Sequence, residues 1–297
     1  MNPIVYYNPR HTYHISSSMH PESPERVEAI MTALNPYIRS GVVNLRKFMG
    51  RFGSTEAITH WTLKDGDTYV TNYTNDILKI SRVMIRAAVS DIVDKNTSIG
   101  FVLTRPPGHH ASEGQPSGFC HENNVWNAVG MLRDNGYYRI GIYDWDAHHG
   151  DGTQTYVEND DIGCIKFAST HAYGPGIYPG SGKSKHTLRV LNHTLSTLTE
   201  SEEFISVFDD HILPFLSEDG PLDILIVSAG YDAHKDDPMN LMQLESSTYG
   251  ILAERLKLLN CPILFMLEGG YNPAALAESV LETLIPFMPL PIIEIMK

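Results

Sequence analysis

Short apolar segments alternate along the chain with longer segments whose apolar residues recur at helical spacing, and this alternation restricts the fold more than any other feature. The short segments are typical of buried strands, and the longer ones are typical of helices that connect them. Strands joined through helices lie parallel in one sheet, and the helices cover both of its faces. The sequence therefore predicts an α/β fold with three layers, α/β/α, around a largely parallel central sheet.

The individual segments can be placed from their boundaries. Strands are predicted at residues 4–7, 99–104, 138–143, 163–169, 223–232 and 262–267. Helices are predicted at residues 77–93, 123–132, 153–158, 201–216 and 241–259, with two more that open at Pro24 and Pro273. Residues 44–75 follow neither pattern and carry only a turn signal at residues 65–67.

The composition indicates one globular domain that spans residues 1–297. No Gly/Ser tract, Pro-rich stretch, charge run or repeat marks a linker, and 42% of the residues are hydrophobic against 19% charged. The formal net charge of −13 argues against a surface that binds nucleic-acid phosphates or an anionic membrane. The same charge is compatible with a cationic substrate.

The sequence predicts a soluble, cytoplasmic protein of undetermined oligomeric state. No apolar run reaches the roughly 18 residues that span a bilayer, and the first residues lack the basic start and apolar core of a signal peptide. The three cysteines, Cys120, Cys164 and Cys261, lie far apart, as expected for buried, unpaired thiols in a reducing compartment.

The predicted strand at residues 138–143 runs directly into a polar stretch that contains Asp146 and His148. Side chains two residues apart point to the same side of an extended chain, so this pair can clamp a divalent metal ion. Asp232 ends a neighbouring predicted strand and completes a set of three ligands, which is the number that a catalytic zinc takes while it keeps a position for water. A helix cap explains Asp232 equally well alone, but the three residues together favour the metal.

Two adjacent histidines, His109 and His110, follow the turn formed by Arg105-Pro-Pro-Gly. Imidazole titrates near neutral pH, so these histidines suit proton transfer beside the metal, with Asp144 and Asp151 as the carboxylates that orient them.

Tyr271, on a Gly-Gly loop, can donate its hydroxyl to a developing oxyanion, although a packing role explains it alone. Because no Gly-x-Ser-x-Gly elbow is present, the sequence predicts hydrolysis of an amide by zinc-bound water.

Other polar residues are predicted to be structural. His14 and His20 are expected to be exposed in a loop, with a position at the rim of a site as the alternative. Glu22, Glu25 and Arg26 are expected to cap a helix or to pair at the surface. His149 is likewise predicted to have no role in binding the metal.

The motifs together resemble those of the zinc-dependent histone deacetylase family, within the arginase–deacetylase superfamily. The matching stretches are His20-Pro-Glu-Ser-Pro, Arg105-Pro-Pro-Gly-His-His-Ala111, Gly118-Phe-Cys120, Asp144-Trp-Asp-Ala-His-His-Gly-Asp-Gly152, Ser228-Ala-Gly-Tyr-Asp232 and Glu268-Gly-Gly-Tyr-Asn272. They occur in the family's order over most of the chain. The Glu-Gly-Gly-Tyr form and Asp236-Asp-Pro238 resemble the class II and bacterial branch.

The resemblance implies a role for each site residue. Asp146, His148 and Asp232 would bind the zinc, and His110 would act as general base and acid. His109, paired with Asp144, would be the electrostatic partner of His110, which Asp151 would orient. Tyr271 would polarise the acetyl carbonyl. The substrate would be bound by Phe119, Tyr178, Gly118, Gly269, Gly270 and Leu241, and a structural potassium ion by Asp144, Asp146, His148, Ser169 and Thr170.

Departures from the family's pattern concern the rim of the site. The residue that orients the substrate there is predicted to be Asn72 or Tyr73, and His121-Glu122 is expected to alter the mouth. Polyamine-specific relatives carry an acidic gatekeeper at about the position of Leu241, so the substrate is predicted to be acetyl-lysine of proteins. An acetylpolyamine amidohydrolase is the main alternative. A two-manganese ureohydrolase and a non-catalytic module that binds acetyl-lysine are more remote ones.

Overall fold

The computed structural model describes residues 1–17, 19–50, 57–63 and 65–289. Its strands are β1 (Ile4–Tyr7), β2 (Asn44–Lys47), β3 (His60–Thr62), β4 (Tyr69–Thr71), β5 (Ile99–Val102), β6 (Ile140–Asp144), β7 (Ile165–Ala172), β8 (Lys185–His186), β9 (Val190–Leu195), β10 (Ile224–Ala229) and β11 (Ile263–Leu267). Its α-helices are α1 (Glu25–Arg39), α2 (Thr74–Val93), α3 (Asn124–Arg133), α4 (Asp151–Glu158), α5 (Ser201–Val207), α6 (Leu213–Ser217), α7 (Ser246–Leu256) and α8 (Pro273–Leu284).

Within these residues, nine strands form one sheet in the order β2-β1-β5-β11-β10-β6-β7-β9-β8. Every adjacent pair is parallel except the antiparallel β8–β9 pair at the edge. The hairpin β3–β4 stands apart from this sheet. The predicted single-domain α/β fold with a largely parallel central sheet is therefore confirmed.

Strand β10 shows why the sheet needs helices on both faces. All six of its residues are buried, and alternate side chains enter different cores. Leu225 and Val227 join the core beneath α1, α7 and α8, whereas Ile224 and Ile226 join the core beneath α2 and α3. Because a strand's side chains alternate between its faces, two apolar layers must cover it.

Two predicted helices differ from the structure. The helix predicted at residues 241–259 begins only at Ser246, because Gln243 and Leu244 are extended and form bridges to Glu200 and His234. The helix predicted at residues 201–216 is interrupted by a π-helical turn at Phe208–Ile212, which separates α5 from α6.

All three cysteines are unpaired, but their burial differs. Cys120 is fully buried and Cys261 partly so, whereas Cys164 is exposed. The prediction of a buried Cys164 was wrong because β7 begins at Ile165, two residues after the predicted start at residue 163, so that Cys164 lies outside the strand. Among the described residues, no helix is both long enough and apolar enough to cross a lipid bilayer.

Candidate active site

The carboxyl ends of three neighbouring strands, β6, β10 and β11, bring distant parts of the chain together. Strand β6 delivers Asp144 and the polar stretch after it, β10 leads to Asp232, and β11 leads to the loop Glu268–Tyr271. These strands are adjacent in the sheet, in the order β11-β10-β6, so their ends lie side by side. Loops at this edge of a parallel sheet commonly carry chemistry.

Asp146, His148 and Asp232 form a compact cluster in which one donor atom of each residue lies within 4.8 Å of the other two. His148 Nδ1 lies 2.7 Å from Asp232 Oδ2 and 3.1 Å from Asp146 Oδ1. Both carboxylates are fully buried, and 13% of the His148 side chain is exposed. Burial opposes a charged imidazole, yet the carboxylates of Asp232 and Asp146 together outweigh it and raise the pKa of His148 to about 10.

This donor set fits a divalent metal ion. Asp146 and Asp232 are buried carboxylates that lie close to the same imidazole. A divalent cation bound between them would take over the charge compensation that a protonated His148 supplies, because a buried charge without compensation is costly. Aspartate and histidine are ligands that zinc takes in catalytic sites. The glycine at position 269 belongs to this arrangement: a Cβ there would lie 2.6 Å from the Oδ2 atoms of Asp146 and Asp232.

The two tandem histidines are oriented by different carboxylates. His109 Nδ1 lies 3.1 Å from Asp144 Oδ2, and His110 Nδ1 lies 2.7 Å from Asp151 Oδ1. The two rings contact each other, with their centroids 3.9 Å apart. The carboxylates that sequence reasoning assigned to them therefore lie within hydrogen-bond distance.

The pKa values of the two histidines move in opposite directions. Burial lowers the pKa of His110 to about 4, with a further contribution from the positive charge of His109. Burial also disfavours a charged His109, but the carboxylates of Asp146 and Asp144 outweigh it and raise the pKa of His109 well above its usual value. At neutral pH, His110 is thus neutral and able to accept a proton beside a positively charged His109.

Tyr271 lies at the end of the loop that follows β11. Its backbone N–H donates to Asp237 Oδ2 at 2.6 Å, and its ring packs edge-on against Phe119 with centroids 5.8 Å apart. Burial, followed by the charge of Asp232, raises the pKa of Tyr271 well above its usual value. The phenol therefore keeps its proton and remains a hydrogen-bond donor.

Comparison with known proteins identifies the group to which this site belongs. The sequence model of the histone deacetylase domain matches residues 40–285. The chain belongs to the histone deacetylase family. An uncharacterized protein of Synechocystis sp. is 33% identical over 96% of this chain and 99% of its own length. A crystal structure of the HDA15 HD domain has a TM-score of 0.84 and 25% identity, covering 97% of this chain and 89% of that one.

Named deacetylases are among the relatives. "Histone deacetylase 14, chloroplastic" of Arabidopsis thaliana is 38% identical over 73% of this chain, and the "Probable deacetylase" of Archaeoglobus fulgidus is 37% identical over 63%. In both cases the match spans about half of the relative, 54% of its length. Membership of the family supports a deacetylase that hydrolyses an amide, and the family is generally zinc-dependent. The cytoplasmic location stays a prediction.

Two aromatic side chains, Tyr178 and Phe119, lie next to His110 and Tyr271, respectively. The ring of Tyr178 lies edge-on to that of His110, with centroids 4.9 Å apart, and 44% of Tyr178 is exposed. Phe119 is half-buried and packs against Tyr271 from the other side. Gly118 lies directly against the rings of His110 and Tyr178, since a Cβ there would lie 2.6 Å from His110 Cδ2 and 2.8 Å from the Tyr178 ring.

The loop that carries Tyr178 is held by two histidines outside the metal cluster. His149 hydrogen-bonds to Ser181 at 2.9 Å, and His171 donates to the carbonyl oxygen of Gly182 at 2.7 Å. Gly182 has a φ of +87°, and a Cβ on it would lie 2.4 Å from both imidazoles. His149 thus has the structural surroundings that the sequence predicted for it.

A buried network of ion pairs lies next to the Tyr271 loop, and the sequence did not predict it. Glu22 binds Arg105 through two hydrogen bonds, of 2.6 and 3.1 Å, and lies 3.2 Å from Arg26. Arg26 in turn donates to the carbonyl oxygens of Glu268 and Gly270. The prediction that Glu22 and Arg26 cap or pair at the surface was wrong. Both are fully buried, because Glu22 pairs with Arg105 and Arg26 reaches the main chain that follows β11.

Three other residues near the start of α1 were predicted to lie at the surface, and only Glu25 does so. Glu25 is exposed and its side chain bonds to Ser23, so that it lies at the surface as predicted, but the N-cap residue of α1 is Pro24, without a side-chain cap. His14 is buried against Thr74, and His20 is partly buried, with its ring 4.6 Å from that of Phe119. The prediction that both histidines are exposed was therefore wrong, because this loop folds over the site.

The rim is arranged differently from the expectation for Asn72 and Tyr73. Asn72 is exposed and binds the main chain of residues 57 and 59, and Tyr73 is buried with its ring against Tyr13. Asp67 lies nearer to the two aromatic side chains: its side chain is 67% exposed, on a turn whose Thr68 hydroxyl accepts the N–H of Phe119 at 3.1 Å. The sequence showed only the turn, because an isolated carboxylate in a turn carries no further signal.

The contacts of three further residues singled out in the sequence are defined by the structure. Leu241 is partly buried against the hydrophobic core. His121 donates to the carbonyl oxygen of Tyr69 at 2.9 Å, which ties the Phe119 loop to hairpin β3–β4. Gly270 has a φ of +110°, a conformation that favours glycine, and a Cβ on it would lie 2.9 Å from the Tyr231 side chain.

Proposed function

We propose that this protein is a zinc-dependent amidohydrolase that removes an acetyl group from the ε-amino group of acetyl-lysine in proteins. The observation that carries the proposal is the contact between His109 and His110, whose pKa values are shifted in opposite directions beside the cluster of Asp146, His148 and Asp232. A base and a cationic partner next to a metal-ligand set are the parts that amide hydrolysis by water requires.

The positions of the side chains support a role for each residue of the site. Asp146, His148 and Asp232 would hold the zinc, which when bound supplies a Lewis acid for the scissile carbonyl and the attacking water. Neutral His110, oriented by Asp151, accepts the proton of that water at Nε2 and later gives it to the leaving amine. His109, charged and paired with Asp144, stabilises the negative charge that develops.

The substrate would be bound by the aromatic side chains described above. The phenol of Tyr271 donates a hydrogen bond to the carbonyl oxygen as it becomes an oxyanion. Phe119 and Tyr178, which lie partly exposed beside Tyr271 and His110, would contact the extended aliphatic chain, and Gly118, Gly269 and Gly270 would add no side chain there. Asp67 at the rim, rather than Asn72 or Tyr73, is the group that we assign to contacts with the substrate main chain, because it is exposed beside Phe119.

A structural potassium ion would lie behind the zinc cluster. Asp144 is paired in register with Ser169 across β6 and β7, so main-chain oxygens around Asp144, Asp146, His148, Ser169 and Thr170 can converge. The Ser169 hydroxyl already bonds to His171 Nδ1 at 2.8 Å, which links such a site to the Tyr178 loop. Measuring activity with potassium replaced by choline would test this assignment.

A substrate panel tests the function itself. The zinc-loaded protein would be assayed on an acetyl-lysine peptide and, side by side, on acetylputrescine and acetylspermidine. We expect faster turnover of the peptide, since Leu241 provides no carboxylate for a polyamine ammonium group. Much faster turnover of the polyamines would overturn the substrate assignment, and no hydrolysis of any acyl substrate would overturn the enzymatic one.

A further inference from the structure

A second group of metal-ligand side chains lies behind the tandem histidines. One donor atom each from His109, Cys120 and Glu268 lies within 4.8 Å of the other two, and all three residues are buried. None of the roles proposed above uses Cys120 or the Glu268 carboxylate. We propose that these three residues form a second divalent-metal site, selective for thiophilic ions such as Zn²⁺, whose occupation inhibits the enzyme.

The Glu268 carboxylate is prepared for a ligand that the structure leaves unassigned. Its Oε2 atom accepts the backbone N–H groups of Gly108 and His109, at 2.6 and 3.1 Å. Its Oε1 atom is fully buried and has no hydrogen-bond partner among the described residues. Because an unsatisfied buried oxygen is costly, an ion bound there would supply the missing interaction.

His109 is held as metal-binding histidines usually are. Its Nδ1 atom is bonded to Asp144, which leaves Nε2 as the nitrogen for a metal. A ligating histidine typically donates its other ring N–H to a carboxylate, and ligating carboxylates are in turn fixed by hydrogen bonds, as Glu268 is. Both outer contacts are therefore in place before an ion arrives.

The donor types decide which ions would bind. A thiolate, an imidazole and a carboxylate form a set that zinc and other thiophilic ions prefer, whereas magnesium and calcium prefer oxygen ligands alone. On binding, the Cys120 thiol and the charged His109 at Nε2 would each release a proton, so that the thiolate and the Glu268 carboxylate balance the charge of a divalent ion. The donor atoms need to approach one another slightly, since zinc bonds are about 2.0–2.3 Å long.

Occupation would take His109 away from the reaction. The consequence for activity rests on the function proposed above, in which His109 stabilises the developing charge, whereas binding of the ion does not depend on it. Because Cys120 and Glu268 are completely buried, we expect inhibition to develop slowly after excess Zn²⁺ is added.

Cobalt provides a direct test, because Asp146, His148 and Asp232 include no thiol. We expect a second equivalent of Co²⁺ to produce a thiolate-to-cobalt absorption band in the near ultraviolet, and metal analysis to find two ions per chain. Cys120→Ser would bind one ion without the band. Cys164→Ser, which alters an exposed cysteine outside the site, is the matched control and would keep both the ion and the band.

A second variant covers the case in which Cys120→Ser fails to fold. Glu268→Gln keeps an oxygen that can accept the N–H groups of Gly108 and His109, but its amide is a poor ligand, so affinity for the second Co²⁺ should fall at least about tenfold. A single ion without the band in the unchanged protein, or a band that persists in Cys120→Ser, would overturn the second site. Inhibition by Zn²⁺ that is equal in the unchanged protein and Cys120→Ser would overturn the inhibitory role.

Discussion

Gly269 donates its backbone N–H to the Asp146 carboxylate across 2.9 Å, although the two residues lie 123 positions apart in the chain. This bond joins the loop that carries Tyr271 to the metal-ligand cluster. The position of the Tyr271 loop and the geometry of the cluster are therefore fixed together, and a change in one should disturb the other.

Gly269→Ala tests this link. The added methyl group would lie 2.6 Å from Oδ2 of both Asp146 and Asp232, closer than non-bonded atoms can approach, so the carboxylates must move. We expect at least about a tenfold loss of zinc affinity, as seen when ligand orientation is disturbed. Zinc content after dialysis against a graded chelator measures it. Gly130→Ala, at a helical glycine with open space, is the control and should retain zinc.

Tyr271→Phe removes only the phenolic hydroxyl. Loss of one oxyanion donor typically lowers kcat by about 10²–10³-fold, while KM should change little, because Phe119 still packs against the ring. Steady-state kinetics of the zinc-loaded variant provide the measurement. Full retention of kcat would mean that the hydroxyl does not act on the carbonyl oxygen.

Gly182→Ala should loosen the Tyr178 loop. Both Gly182 and Gly180 have φ values above +80°, so alanine strains the backbone at either position by about 1 kcal/mol. Only at Gly182 would the methyl group also collide with His149 and His171. We expect KM for the peptide to rise several-fold in Gly182→Ala and to stay within twofold in Gly180→Ala. Equal effects of the two variants would contradict the anchoring role of the histidines.

Glu22 should make the stability of the protein sensitive to acid. Burial opposes its charge, but Arg105 and then His14 and Arg26 outweigh burial and lower the pKa of Glu22 from 4.5 to about 2. The folded state thus binds this proton more weakly than the unfolded state. The stabilisation, about 3 kcal/mol for such a shift, is fully present above pH 4.5 and is lost as the pH falls towards 2.

Glu22→Gln would remove this dependence while leaving Arg26 and Arg105 without their carboxylate. At pH 7 we expect a loss of about 3–5 kcal/mol in the free energy of unfolding, and a flatter decline than that of the unchanged protein between pH 4.5 and 2. Urea unfolding over this pH range measures both. The exposed Glu25→Gln should change stability by less than about 0.5 kcal/mol. Parallel pH curves for Glu22→Gln and the unchanged protein would contradict the assignment.

The sheet and the strand-end residues were predictable because their signals are local. An apolar run followed by Asp-x-His places both ligands on one side of the chain, and parallel strands bring such ends together without further information. The predicted fold is therefore confirmed. The structure also brings Asp146, His148 and Asp232 together, as expected from their positions at the strand ends.

The errors concern residues whose partners are distant in sequence. Glu22 meets Arg105 83 positions later, and Arg26 meets Gly270 244 positions later, so nothing near α1 shows that these charges are buried. The role that we propose for Asp67 was not predicted for the same reason, because it depends on Phe119, which reaches the turn only in the folded protein. The exposure of Cys164 depended on a strand boundary, which sequence patterns locate poorly.

The position of β5 in the sheet has a consequence for how the protein is made. Its two neighbours are β1 and β11, the first and last strands of the described chain, so β5 is flanked by segments synthesised far apart in time. While a ribosome is still producing β10, the partner of β5 on one side does not yet exist, and neither do Glu268 and Tyr271. The proposed active site therefore cannot form until the residues up to Tyr271 have been synthesised, and a nascent chain that stops before β11 lacks both a neighbour of β5 and these two residues.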